Sequence, residues 1–153
     1  MKISNEIINI CPEIKKWRHE LHAHPELGYE EEWTSNFVAE KLDSFGLEIH
    51  RGMAKTGVVG VLKGANASLG GGGNKAIGLR ADMDALPMTE ENDFSYKSKF
   101  DGRMHACGHD GHTAMLLGAA KLLASKKDFD GTVYFIFQPA EEGGGGGLAM
   151  IED

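Results

Sequence analysis

Nine residues, Met104 to His112, read M-H-A-C-G-H-D-G-H and hold one cysteine, three histidines and an aspartate, with two glycines between them. Cys107 and His109 form a C-x-H pair. A thiolate and an imidazole so spaced reach one metal only if the backbone bends sharply, which Gly108 permits. Further on, the strand-like run T-V-Y-F-I-F-Q-P (132–139) leads into Ala140, Glu141, Glu142 and five glycines. Two adjacent carboxylates at the end of a buried strand are costly unless something positive faces them. Asp82 and Asp84 follow another strand-like stretch. The chain reads as a scaffold that brings these three stretches to one point.

As ligands, Cys107, His109 and Glu142 form a mixed soft–hard set suited to Zn2+, with Mn2+, Co2+ or Ni2+ as alternatives. A thiolate can also bridge two metals. Glu141, beside a ligand but pointing elsewhere, would be free to act as general base on a water whose pKa the metal brings towards neutrality. Asp84 could accept from the outer nitrogen of a ligand histidine and fix its tautomer. Asp82 could hold that loop or assist from behind the ligands. Each residue also has a plainer reading. Cys107 alone would be an inert small hydrophobe, the glutamate pair a solvated turn, and the two aspartates ordinary loop residues. The C-x-H spacing beside two more histidines favours a ligand role for Cys107, and the apolar strand before Glu141-Glu142 favours a site there. His105 and His112 stay open between supporting the site, facing substrate and packing. His50 reads as a surface residue. A different chemistry, a thiol amidase with Cys107 as nucleophile and His105 or His109 as base, leaves the glutamate pair unexplained.

The elements that must position these residues follow from periodicity. Pro12 suits the first turn of a helix whose stripe is Ile14, Trp17 and Leu21, ending near His24-Pro25. That helix contains His19-Glu20-Leu21-His22, but an H-E-x-x-H zinc motif needs its second histidine at position 23, which is Ala23. His19, His22 and His24 therefore read as packing or solvated-face residues. A second helix fits 31–45 and stops at Gly46. Strands fit 47–53, 57–63, 76–81 and 132–137, and a helix fits 110–126 with Lys126-Lys127 at its C-terminal dipole. The glycine-rich stretch 64–75 matches no phosphate-loop pattern and reads as a linker or hairpin tip. Strand 76–81, helix 110–126 and strand 132–137 make a βαβ crossover, and in such sheets sites collect beyond the carboxyl ends of the strands. Asp82, Asp84, Glu141 and Glu142 all fall there.

Composition sets the outer bounds. At 153 residues, 41% hydrophobic and 25% charged, the chain has the size and make-up of one ordinary globular domain. A net charge of -7 argues against nucleic acid or an anionic membrane as the main partner. There is no apolar run of membrane-spanning length and no signal-peptide core at the N-terminus. Two cysteines in unlike contexts, Cys11 and Cys107, make a disulfide framework improbable and a cytoplasmic location the default.

R-A-D-M-D-A-L-P at 80–87, M-H-A-C-G-H-D-G-H-T at 104–113 and F-Q-P-A-E-E-G-G-G-G at 137–146 together closely resemble the N-acyl-amino-acid amidohydrolases, a branch of the dinuclear-metal aminoacylase/carboxypeptidase family. L-H-A-H-P-E-L at 21–27 and K-T-G-V-V-G-V-L at 55–62 are also similar to its pattern, the hippurate hydrolases in particular. The resemblance implies an α/β fold: part of a three-layer α/β/α zinc-peptidase-like catalytic domain with a mixed, mostly parallel sheet. It implies metal ligation by Cys107, His109 and Glu142, two divalent metals per complete site, Glu141 as base and Asp84 as the group orienting a ligand histidine. The implied reaction is hydrolysis of a small N-acyl amino acid, by a homo-oligomer. Members of that family are much longer, so residues 1–153 read as the N-terminal half of the catalytic domain, without two further histidine ligands, the inserted dimerisation (lid) domain or the C-terminal half. On that reading little turnover is expected of these residues alone. The competing reading is a non-catalytic remnant that binds metal weakly or self-associates through strand 132–137 as an unfinished sheet edge.

Overall fold

The computed structural model describes residues 3–65 and 75–153. Most of the glycine-rich stretch read as a linker or hairpin tip lies outside these residues. The elements run α1 (Asn5–His22), α2 (Glu32–Ser44), β1 (Glu48–Met53), β2 (Gly57–Lys63), β3 (Ala76–Asp82), α3 (His109–Lys126), β4 (Thr132–Gln138) and α4 (Gly146–Glu152).

The four strands form one sheet in the order β1-β2-β4-β3. β3 and β4 pair in parallel, from Ala76 opposite Thr132 to Asp82 opposite Gln138, with α3 as the crossover between them. β1·β2 and β2·β4 are antiparallel. The sheet is thus mixed, as expected, but one pairing of its three is parallel rather than most of them. A short turn after Met53 joins β1 to β2 as a hairpin, and short connections give antiparallel neighbours. β4 is also not the open edge that its place late in the chain suggests. It is inserted between β2 and β3, so all of its backbone is paired, and the edges are β1 and β3.

Alternation along the strands decides what is buried. Val58 and Leu62 of β2 and Val133, Phe135 and Phe137 of β4 share one face, against Trp17 and Leu21 of α1, Phe37, Val38 and Leu42 of α2, and Leu117 and Ala120 of α3. The other face carries Val59, Tyr134 and Ile136, which border α4 at Met150 and Ile151.

α1 begins earlier than Pro12 predicts. Ser4 caps it by accepting from the Ile7 N–H, and Pro12 sits inside the helix. Pro12 forfeits the bond to the Ile8 carbonyl, and Ile8 is exposed, on the side of α1 where water can take the place of that donor. The stripe of Trp17 and Leu21 then outweighs the local cost. α2 ends where Gly46 takes a φ of 76°, a left-handed conformation that glycine adopts without a Cβ clash. Phe135 is fully buried on the central strand. Phe135→Ala is expected to lower the unfolding free energy by about 3–5 kcal/mol, read as an earlier midpoint in urea with an unchanged slope.

Candidate metal centre

The crossover fixes the site. Asp82 and Asp84 leave the carboxyl end of β3, Glu141 and Glu142 follow that of β4, and α3 starts between them at His109. The bend that a C-x-H pair requires is present: Gly108 has φ 85° and stands as the N-terminal cap of α3. One donor atom from each of Cys107, His109 and Glu142 lies within 4.8 Å of the other two.

The tautomer of His109 can be derived. Its Nδ1 is 2.9 Å from the Asp84 carbonyl oxygen and 3.2 Å from Asp84 Oδ1. Both are acceptors, so Nδ1 carries the proton and donates. That leaves Nε2 facing the cleft, 3.9 Å from Glu141 Oε2, 3.9 Å from Glu142 Oε1 and 3.6 Å from Asp82 Oδ2. Burial works against charging His109, but the Asp84 hydrogen bond and the Asp82 and Asp84 charges outweigh it and hold its pKa above the usual histidine value.

Asp84 is buried and joins three segments. Besides His109 it accepts the Glu142 N–H at Oδ2, 2.8 Å away. Burial alone would raise its pKa; the hydrogen bonds from His109 and from the Glu142 and Glu141 amides reverse that and bring it below the usual aspartate range. Asp82, also buried, accepts from Arg80 Nη1 (2.9 Å) and sits 2.7 Å from His112 Nδ1. Its backbone carbonyl takes the Thr113 hydroxyl at 2.9 Å. Asp82, His109 and His112 form a second group of potential donors within 4.8 Å, sharing His109 with the first.

The donor set fits a divalent cation. Cys107 is exposed, and its hydrogen bond with the Glu142 carboxylate, followed by partial loss of water and the Glu142, Glu141 and Asp84 charges, pushes its thiol pKa up. A thiolate here is disfavoured until a cation offsets those charges, and thiolate, imidazole and carboxylate together suit a metal of borderline softness.

The turn bearing the glutamates is held from behind by residues that sequence reasoning missed. Glu31 is fully buried and accepts from the Ala140 N–H (2.8 Å) and the Thr56 hydroxyl (2.6 Å). Its pKa is raised, chiefly by burial. Ala140 itself has φ 48°. The Tyr29 hydroxyl donates to the Gly144 carbonyl at 2.6 Å. Glu31 lies in an acidic run, Glu30-Glu31-Glu32, that looks like a solvated helix start. No pattern within that run separates it from its neighbours. A cavity of about 280 Å3, bordered by Leu27, Tyr29, Leu86 and Pro87, opens beside Asp84 and Glu142.

The remaining histidines fall where geometry, not motif, decides. His105 is buried and neither ring nitrogen has a partner among the described residues; burial lowers its pKa to about 4, so it is neutral at pH 7. His19 stacks on Tyr96 and His24 on Trp33, packing roles as read. His50 is surface-exposed beside Glu48. His22 is buried between Asp110 and Glu90, a role the sequence did not show.

The chain is similar in sequence and fold to known proteins. Residues 78–153 match peptidase family M20/M25/M40, and the chain belongs to that family. It is 54% identical to the hippurate hydrolase of Campylobacter jejuni over all 153 residues, and 50% identical over 143 residues to an N-acyl-L-amino acid amidohydrolase of Geobacillus stearothermophilus. It spans 38% and 37% of the lengths of those two relatives, covering 100% and 90% of itself. Among solved structures it is similar to a dinuclear metal binding peptidase from the M20 family of Bacillus subtilis. The TM-score is 0.86 at 40% identity, covering 95% of this chain and 39% of that one.

The depressed pKa of Asp84 has a checkable sign. Its contribution to stability is present above the unfolded aspartate value and is lost as pH falls through the lower folded value. Asp84→Asn is expected to destabilise the protein at pH 7 and to flatten its loss of stability on the acid side, measured as melting temperature from pH 7 down to pH 3.

Proposed function

We propose that these residues form part of the catalytic site of a metal-dependent amidohydrolase that cleaves the amide bond of small N-acyl amino acids. The observation that carries this reading is the convergence of Cys107, His109 and Glu142 around the free Nε2 of His109, with Glu141 on the open side of the same cleft. The names of the relatives, hippurate hydrolase and N-acyl-L-amino acid amidohydrolase, supply the substrate class.

Cys107, His109 and Glu142 would hold the metal, with Zn2+ the best match to the donors and Mn2+, Co2+ and Ni2+ as alternatives. A divalent metal bound there would polarise the scissile carbonyl and acidify the attacking water. His109 presents Nε2 because Asp84 holds the proton on Nδ1, so Asp84 sets the tautomer without touching the substrate. Glu141, whose side chain is 42% exposed against 27% for Glu142, faces the open cleft. It takes the proton of the attacking water and returns it to the leaving amine as the C–N bond breaks, giving a carboxylate and a free amino acid. The cavity bordered by Leu27 and Tyr29 adjoins this point and can receive an apolar acyl group. Three donors cannot complete a two-metal centre, so the reading gives this chain one wall of the site. Homo-oligomer formation and a cytoplasmic location are carried by the family resemblance and by the two unpaired cysteines. No helix among the described residues is long and apolar enough to cross a membrane.

Metal per chain by elemental analysis, with hippurate hydrolysis on the same sample, tests the proposal. Cys107→Ser is expected to lose most of the metal. Glu141→Gln should keep it while any hydrolysis falls by about 10²-fold or more. A Cys107→Ser protein that keeps its metal and loses turnover would instead make Cys107 a nucleophile.

A further inference from the structure

A second polar cluster lies behind the metal centre, and the reaction as derived does not use it. Three segments meet there: α1 through Arg18 and His22, the connection from 83 to 108 through Glu90, and the first turn of α3 through Asp110. His22 is 3% exposed. Its Nδ1 is 2.7 Å from Asp110 Oδ2 and its Nε2 is 3.1 Å from Glu90 Oε1.

Donor and acceptor counting decides the charge of this ring. A carboxylate only accepts, so both ring nitrogens must carry protons to make both bonds, and an imidazole with two N–H groups is an imidazolium. A neutral ring would leave one lone pair facing a carboxylate oxygen, 2.7 Å away on one side or 3.1 Å on the other.

On α1, Arg18 Nε donates to Asp110 Oδ2 at 2.8 Å, and its Nη2 lies 3.5 Å from His22 Nδ1. That second approach sets one donor against another and opposes the charge. His19, also on α1, has its pKa lowered, first by burial. On the connection, Phe94 and Tyr96 place their rings 5.7 Å from His22, and His105, neutral, is 6.4 Å away. Two carboxylates at hydrogen-bond distance outweigh one guanidinium. The largest influence on His22 is the Asp110 hydrogen bond, which raises its pKa; burial opposes it, and the Glu90 bond adds to the rise.

Each carboxylate then passes the constraint on. Glu90 Oε2 accepts the Ser98 N–H at 2.6 Å and Oε1 the Asn92 amide at 2.9 Å, while Lys99 N–H donates to the Ala23 carbonyl at 3.1 Å. Asp110 is the residue after His109, in the first turn of α3, where a negative charge also favours the helix dipole.

We infer that His22 is an imidazolium in the folded protein and a positioning residue of the metal centre. It pins the His109 turn to α1 through Asp110 and the 83–108 connection through Glu90. The role in metal binding rests on the proposed function; the charge and the pinning do not. The sign with pH follows. Because the folded pKa is raised, the clamp is complete below the unfolded histidine value and is lost as pH rises through the folded value.

Ring 15N shifts of His22 across pH test the charge. Both nitrogens should be protonated at pH 6.5, with a midpoint above 6.5 that falls in Glu90→Gln, since a glutamine amide can donate to a neutral ring. A midpoint at or below 6.5, or one that Glu90→Gln leaves unmoved, overturns the charged clamp. Amide exchange and Co2+ titration of His22→Gln test the positioning. Exchange at residues 98–99 and 109–112 should quicken, and Co2+ should bind about 10-fold more weakly. Unchanged exchange in a folded His22→Gln protein overturns the positioning. A wild-type chain that binds no Co2+ defeats the metal reading alone, because the 15N and exchange results still decide the clamp. If His22→Gln does not fold, the wild-type and Glu90→Gln titrations still decide the charge on which the positioning depends.

Discussion

The structure depends most on what the Asp84 carboxylate accepts. It sits just beyond β3, accepts a hydrogen bond from His109 Nδ1–H at the start of α3, and accepts the Glu142 N–H just beyond β4. One buried side chain therefore joins the three segments that the βαβ crossover delivers. Burying a charge is costly unless it is paired and hydrogen-bonded, and here the donors come from the residues that need fixing. If Asp84 were neutral, His109 would lose a reason to keep its proton on Nδ1, and the Glu142 N–H would trade a charged acceptor for a weaker neutral one.

The sheet makes this economical. Parallel pairing of β3 with β4 runs in register to Asp82 opposite Gln138, so both strands release their chain at the same level. α3 returns along the buried face, and its N-terminus arrives at that level too, with Gly108 supplying the bend. The antiparallel strands β2 and β1 carry none of these residues. They give β4 its second neighbour and complete the apolar face on which α2 and α3 rest. That support keeps the carboxyl end of β4, and the glutamates after it, in place.

How far the sequence could be read follows from the same physics. The crossover was legible because strand and helix periods are local properties, and so was the meeting of Asp82, Asp84, Cys107, His109, Glu141 and Glu142 beyond strand ends. The position of β4 within the sheet was not, because pairing partners depend on contacts distant in sequence, here Val58 with Phe137 and Ile77 with Val133. Pro12 misplaced the start of α1 because a local rule was outweighed by the buried stripe beyond it. Glu31 and His22 were hidden for a third reason. Their importance comes from burial against partners far along the chain: Ala140 for Glu31, and Glu90 with Asp110 for His22. In sequence Glu31 is one of three glutamates and His22 one of three closely spaced histidines.

These buried partners answer a problem that the site creates for itself. Asp82, Asp84, Glu141 and Glu142 crowd negative charge around His109, and Ala140 is held at a positive φ just before the pair, a conformation that costs a non-glycine residue of order 1 kcal/mol or more. Left alone, such a turn would relax away from its like charges. It does not, because Glu31 takes the Ala140 N–H, Tyr29 takes the Gly144 carbonyl and Asp84 takes the Glu142 N–H, from three directions. Every one of these anchors acts on backbone, which leaves the carboxylates of Glu141 and Glu142 free to face the cleft. The like charges are thus held close together by a fixed backbone, and under the proposed reading a cation bound between them would relieve that repulsion.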